Sequence, residues 1–224
     1  MARGLEIDRT GVDTNEAMSV ELAFAGFGQA DVAIPDTSGE SLRVLVESRV
    51  WHPRLRDAIN EATAIALFVH PARVRVPQPV SLLSVVEPDG DDEPQPDGME
   101  SFAIHDHAAT AAELIDVFEN VTELCRERWP IRIALIISAW DRVDGELTPH
   151  EWLSTRLPGV LATAESNPAI AQLEVFGVSA QGGSLDNREE LLAMGEICDR
   201  VHASDRNGQA VSLVAPVRWA IFGE

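Results

Sequence analysis

A three-layer α/β fold, a mostly parallel sheet with helices on both faces, is what this sequence predicts, and two observations predict it. The runs 64–69 (AIALFV), 131–137 (IRIALII) and 173–178 (LEVFGV) are largely apolar on both strand faces, the pattern of parallel strands covered on both sides. Segments of helical periodicity separate them, so strand and helix alternate along the chain. In a sheet of this kind ligands sit beyond the carboxyl ends of the strands.

In chain order, 19–25 (SVELAFA) and 30–34 (ADVAI) read as a hairpin turning at Gly26, Phe27 and Gly28. The second strand runs into Pro35-Asp36-Thr37-Ser38-Gly39-Glu40, after which Leu42, Leu45 and Val46 recur at helical spacing. The run 64–69 carries no polar residue and is expected at the centre of the sheet. Residues 71–103 form an expected mobile insertion, because 87–100 (EPDGDDEPQPDGME) has almost nothing to bury. Leu114, Val117, Phe118, Val121, Leu124 and Cys125 make one helical stripe ahead of strand 131–137. Thr148-Pro149-His150-Glu151 is a helix start, with threonine as cap, proline in the first turn and glutamate placed for a capping box. Strand 173–178 follows, then a helix at 189–194, an edge strand at 197–202 and a closing helix at 216–222.

With 224 residues, 45% hydrophobic and 24% charged, the chain fits a single domain over 1–224 able to bury roughly 70% of its unfolded surface. The formal charge of -20 repels phosphate backbones, which argues against nucleic acid as a partner. No run of apolar residues is long enough to span a bilayer, and the N-terminus lacks a secretory pattern, so the expectation is a cytoplasmic protein with no membrane partner. Cys125 and Cys198 stand apart without ligand spacing and read as buried apolar residues. The sequence contains no lysine, leaving arginine as its only strongly basic side chain. His105-Asp106-His107 reads as a solvated helix start rather than a metal site, since side chains two apart on a helix diverge.

Three strand-end loops carry chemistry. Asp36-Thr37-Ser38-Gly39 combines a carboxylate that can hold magnesium through water with a glycine that lets a backbone N–H approach a phosphate, and taken alone it also reads as an ordinary turn. In Ser138-Ala139-Trp140-Asp141 the carboxylate is able to accept both ring N–H donors of guanine, or else to cap the following turn. Val178-Ser179-Ala180 offers backbone N–H groups to a purine carbonyl.

Taken in order, these three loops resemble those of the P-loop GTPases of the translation-factor-related class. More narrowly, 35–40, the strand ending Phe68-Val69-His70-Pro71, 138–141 and 176–183 are similar to the bacterial double-GTPase families of conflict and defence gene clusters. The resemblance covers about 10–222 and implies GTP and magnesium as ligands. It assigns Asp36 to magnesium, Gly39 to the terminal phosphate, Ser138 and Asp141 to the guanine motif, and Ser179 and Ala180 to the base carbonyl. Thr14, 22 residues before Asp36, takes the place of the switch threonine that serves magnesium, with Thr10 as its rival, and Glu40 stands where relatives position the attacking water.

Two departures from the family pattern follow. Ala139 replaces a lysine whose stem packs beside the base, and the Gly-x-x-x-x-Gly-Lys-Ser/Thr loop has no counterpart in a chain without lysine. The expectation is therefore a GTPase-like fold lacking its first strand, P-loop and first helix. Such a chain is either truncated before a functional loop and unable to bind GTP tightly alone, or a non-catalytic pseudo-GTPase that binds a protein partner.

Overall fold

The computed structural model describes residues 17–35, 51, 53–74, 110–128, 130–143, 145–183, 193 and 200–224. Thr14, Asp36, Gly39 and Glu40 lie outside the described residues, as do Thr10, the 105–107 triplet, Cys198, the helix expected at 42–46, all of the helix expected at 189–194 but residue 193, and 75–103 of the expected insertion.

Strands β1 (Ala17–Phe24) and β2 (Gly28–Pro35) form the expected antiparallel hairpin. Its tight return uses Gly26 and Gly28 at φ 83° and 114°, backbone that a side-chain-bearing residue adopts only with strain. Helix α1 (Pro53–Glu61) follows, then β3 (Ala64–Val69) and a single 3-10 turn, Pro71–Arg73. Helix α2 (Thr110–Leu124), β4 (Ile131–Ser138), α3 (Pro149–Arg156), α4 (Pro158–Ser166) and β5 (Ile170–Ser179) complete the alternating part. Short strands β6 (His202–Ser204) and β7 (Ala210–Val211) and helix α5 (Ala215–Phe222) close the chain. The sequence reading left α1 and α4 unassigned, although each begins with proline in its first turn, where the missing N–H costs nothing.

The five-stranded sheet runs β3-β4-β5-β6-β7. Strands β3, β4 and β5 are mutually parallel, while β6 and β7 are added antiparallel. Two expectations change here. Of the strand expected at 197–202, residues 197–199 lie outside the described ones; β6 begins at His202, and β7 lies outside it, so it is not the edge. Strand β3 is not central among the described residues; β4 and β5 have neighbours on both sides and β3 closes one side of the sheet. An apolar run does not fix where a strand lies laterally, and in β3 it does not mark two dry faces either, since Ala66 and Phe68 are exposed.

Alternation along β4 builds the layers. Ile131, Ile133, Leu135 and Ile137 join Phe118, Val121 and Cys125 of the α2 stripe and Trp152, Leu153, Leu157 and Val160 from α3 to α4 in one buried core. On the opposite face Ala134 meets Phe176 and Ala220, with Ala64, Val178 and Trp219 around them, so α5 covers that side. Burial pushes the Cys125 thiol pKa up, against a smaller downward pull from Arg128, and the thiol donates to Ile59 O at 3.0 Å. Cys125 is thus the buried apolar residue expected of it.

Helix ends are satisfied by identifiable groups. Arg132, reaching from β4, donates to the carbonyl of Ala220 at 2.8 Å and to that of Ile221, placing a cation on the negative end of α5. Gly223, at φ 81°, ends the helix with its N–H on Trp219 O. At α3 the capping box forms as the sequence predicts: Glu151 N–H donates to Thr148 Oγ1 at 3.2 Å and Thr148 N–H to the Glu151 carboxylate at 2.8 Å. These bonds hold the Glu151 carboxyl below its ordinary pKa. Thr148→Ala is expected to lower stability by about 1 kcal/mol, read as a lower urea midpoint at unchanged slope; an unchanged midpoint would show that the cap contributes nothing.

The hairpin is not hydrogen-bonded to the main sheet among the described residues. It is tied to α5 by aromatic contacts, Phe24 and Phe27 meeting Phe222 at 5.5 and 5.3 Å between centroids, and by the Arg218 guanidinium 5.3 Å over the Phe27 ring.

Candidate functional site

Strands β4 and β5 run side by side, in register from Ile133↔Leu173 to Ser138↔Val178, so their carboxyl ends open on the same rim. The loop leaving β4 turns at once: Ala139 takes the left-handed conformation, φ 50° and ψ 45°, and Trp140–Arg142 form one 3-10 turn closed by Arg142 N–H on Ala139 O at 3.0 Å. Ala139 is the non-glycine residue with positive φ among the described residues, a conformation that costs an alanine roughly 1–2 kcal/mol. Backbone strain of this kind collects where a loop must present a particular group.

The group presented is Asp141. Its exposed carboxylate accepts a hydrogen bond at 2.5 Å from the hydroxyl of Ser179, a fully buried residue at the end of β5. Ser179 Oγ in turn accepts the Gly182 N–H at 2.9 Å. Because the oxygen already takes that amide proton, its own proton is committed to Asp141, and one carboxylate oxygen is fixed. Asp141 makes no other hydrogen bond among the described residues, which leaves its second oxygen available. The cap alternative for Asp141 is therefore replaced by a contact spanning 38 positions of sequence.

Two glycines make the contact possible. A Cβ on Gly182, which sits at φ 73°, would stand 2.5 Å from Arg200 Cβ and 2.8 Å from its carbonyl oxygen. A Cβ on Gly177 would fall 2.4 to 2.8 Å from the Trp140 ring, so the indole lies directly on the β5 backbone. The sequence reading did not single out Gly177, Gly182 or Trp140 as site residues. The signal available was a glycine inside an apolar strand, the usual mark of a close approach.

Ser138 turns away from this pair and donates to Val69 O at 3.2 Å, joining the carboxyl ends of β4 and β3. Ala180 follows Ser179 at the exposed end of β5. The structure thus brings together Ser138, Asp141, Ser179 and Ala180 on one rim. Among the described residues no group of acidic, histidine and cysteine side chains is placed to hold a metal ion.

The model of the Double-GTPase 1 family matches residues 1–220. The chain belongs to that family. No curated protein and no solved structure gives a match. The mixed, mostly parallel sheet with helices on both faces agrees with the P-loop-like fold of such a GTPase. Membership implies a guanine nucleotide as ligand, and the Asp141 carboxylate, fixed by Ser179, stands at the paired carboxyl ends of β4 and β5. No described helix of this Double-GTPase domain is long and apolar enough to cross a membrane.

Proposed function

We propose that this Double-GTPase chain is the base-reading part of a guanine-nucleotide switch, working in a bacterial conflict or regulatory system through a protein partner, in the cytoplasm and without contact to nucleic acid or membrane. The observation that carries the reading is the hydrogen-bond series from Gly182 N–H through Ser179 Oγ to Asp141. It holds the Asp141 carboxylate, an acceptor, at the end of the sheet and exposed. Such a group pairs with the ring N–H and exocyclic amine of guanine and repels the ring nitrogen lone pair that adenine offers there. The backbone N–H of Ala180 beside Ser179 suits the guanine carbonyl oxygen.

On the phosphate side the reading assigns Asp36 and Thr14 to magnesium, the Gly39 N–H to the terminal phosphate and Glu40 to the water. The nucleotide supplies the phosphoanhydride whose cleavage separates two states. A lysine able to offset phosphate charge is not in this sequence, so tight GTP binding requires a loop that carries one. The same lack of lysine, with a charge of -20, favours a second reading, a non-catalytic pseudo-GTPase that keeps the sheet as a protein-binding module.

Guanosine separates the two, since it needs no phosphate cradle. At millimolar concentration it is expected to shift the amide resonances of Asp141, Ser179 and Ala180, with adenosine leaving them unmoved and Asp141→Ala abolishing the response. Equal shifts with both nucleosides, or shifts confined to other regions, would reject the base site.

A further inference from the structure

We propose that the turn between β6 and β7, residues 205–209, clamps the far end of the segment that presents Asp141, and that Arg206 is the positioning residue that holds this clamp closed. The segment 139–148 leaves β4 at Ala139 and ends at Thr148, the cap of α3. Its near end is fixed twice by β5, through Ser179 on Asp141 and through the Gly177 backbone under Trp140. Its far end is also tied back to β5, by way of Arg206 and Glu174.

The 205–209 turn closes on itself. Asp205 Oδ1 accepts the N–H groups of Asn207 and Gln209, both at 2.9 Å, while Asp205 N–H donates to Gln209 O and Gly208 N–H to Asp205 O, again at 2.9 Å. Bonds of this kind fix the shape of a turn before it touches anything else. The turn then meets α3. The N–H of His150, second residue of the helix and one of the donors a helix leaves without an internal partner, donates to Arg206 O at 3.2 Å. A Cβ on Gly208 would lie 3.4 Å from Thr148 Cγ2, so the turn backbone rests against the cap residue. Strand β6 runs antiparallel to β5 with Ser204 opposite Gly177, which carries the chain back toward Glu174, and Arg206 Nη1 stands 3.7 Å from Glu174 Oε2. The Glu174 side chain is only 17% exposed. Burial pushes its carboxyl pKa up, helped by Asp205, against the downward pull of Arg206 and His150. Arg206 is thus the counter-charge of a carboxylate that its surroundings disfavour.

Glu174, Gly177 and Ser179 therefore follow one another along β5 and hold the turn, the indole and the carboxylate. Between the two ends of the segment Val143 and Leu147 pack against the main core, so a displacement of Thr148 reaches the Asp141 turn through packed side chains rather than along a free tether. The clamp stands on these contacts; only its consequence for a ligand rests on the guanine reading of the Asp141 site.

The test uses the full chain, guanosine and residue-resolved amide exchange. The amides of Arg142 and Val143 close the Asp141 turn on Ala139 O and Trp140 O. In Arg206→Ala they are expected to exchange about two- to fivefold faster while those of β3 stay unchanged, and guanosine binding is expected to weaken by the same factor, the range for a partly exposed ion pair. Arg206→Lys should restore both, because a single nitrogen makes the contact and a charge suffices where no guanidinium fork is used. The double variant Glu174→Gln, Arg206→Gln leaves no unpaired carboxylate on β5 and should show the same loss. Acceleration confined to His150, acceleration spread equally over β3, or a double variant that behaves as the unaltered chain overturns the clamp. Faster exchange at Arg142 and Val143 in a chain that does not bind guanosine at all supports the clamp and overturns the base site instead.

Discussion

Replacing Gly177 by alanine is expected to destabilise the domain by about 1–3 kcal/mol, the range for forcing extra atoms into a close-packed contact, and to disable the base site with it. The new Cβ would stand 2.4 Å from Trp140 Cδ2 and 2.5 Å from Cγ, with no flexible chain end to yield. Trp140 precedes Asp141 in the same 3-10 turn and packs against the main core, so moving the ring moves the carboxylate away from Ser179. The variant should therefore show both a lower urea midpoint and no guanosine response at Ser179. In the double variant Gly177→Ala, Trp140→Ala the clash has no partner, and the two costs should add to less than their sum by about 1 kcal/mol or more. A stable Gly177→Ala protein with an intact guanosine response would show that the indole does not position Asp141.

Much of the fold was legible because its signals are local or periodic. The strand cores at 64–69, 131–137 and 173–178, the α2 stripe and the Thr148 capping box each follow from side-chain spacing over a few residues, and each appears. The lateral order of strands was not legible: β3 has the composition of a central strand and stands at the side of the sheet. The site was readable as residue types and not as contacts. Asp141 and Ser179 were singled out separately, but the hydrogen bond joining them depends on the parallel register of β4 and β5, and its support comes from glycines whose only sequence mark is a missing side chain. The left-handed Ala139 had no mark at all, since alanine is not a residue that invites that conformation.

The second large effect concerns GTP. Without a lysine, an acidic chain holding a triphosphate has no side chain to offset the phosphate charge except arginine. Hydrogen bonds to a charged group such as the Asp141 carboxylate contribute only about 1.5–3 kcal/mol each. Two such bonds come only to the ~4 kcal/mol of a millimolar constant, before the repulsion between the phosphates and an acidic chain is subtracted. Adding a lysine-bearing phosphate loop should recover binding, and Asp141→Ala should then remove it again. The direct measurement is calorimetry of the 224-residue chain with GTP and magnesium, alone and with such a loop supplied. The account predicts a constant of about 1 mM or weaker alone, and micromolar, Asp141-dependent binding once the loop is present. Micromolar binding by the chain alone, or restored binding that ignores Asp141→Ala, would contradict it.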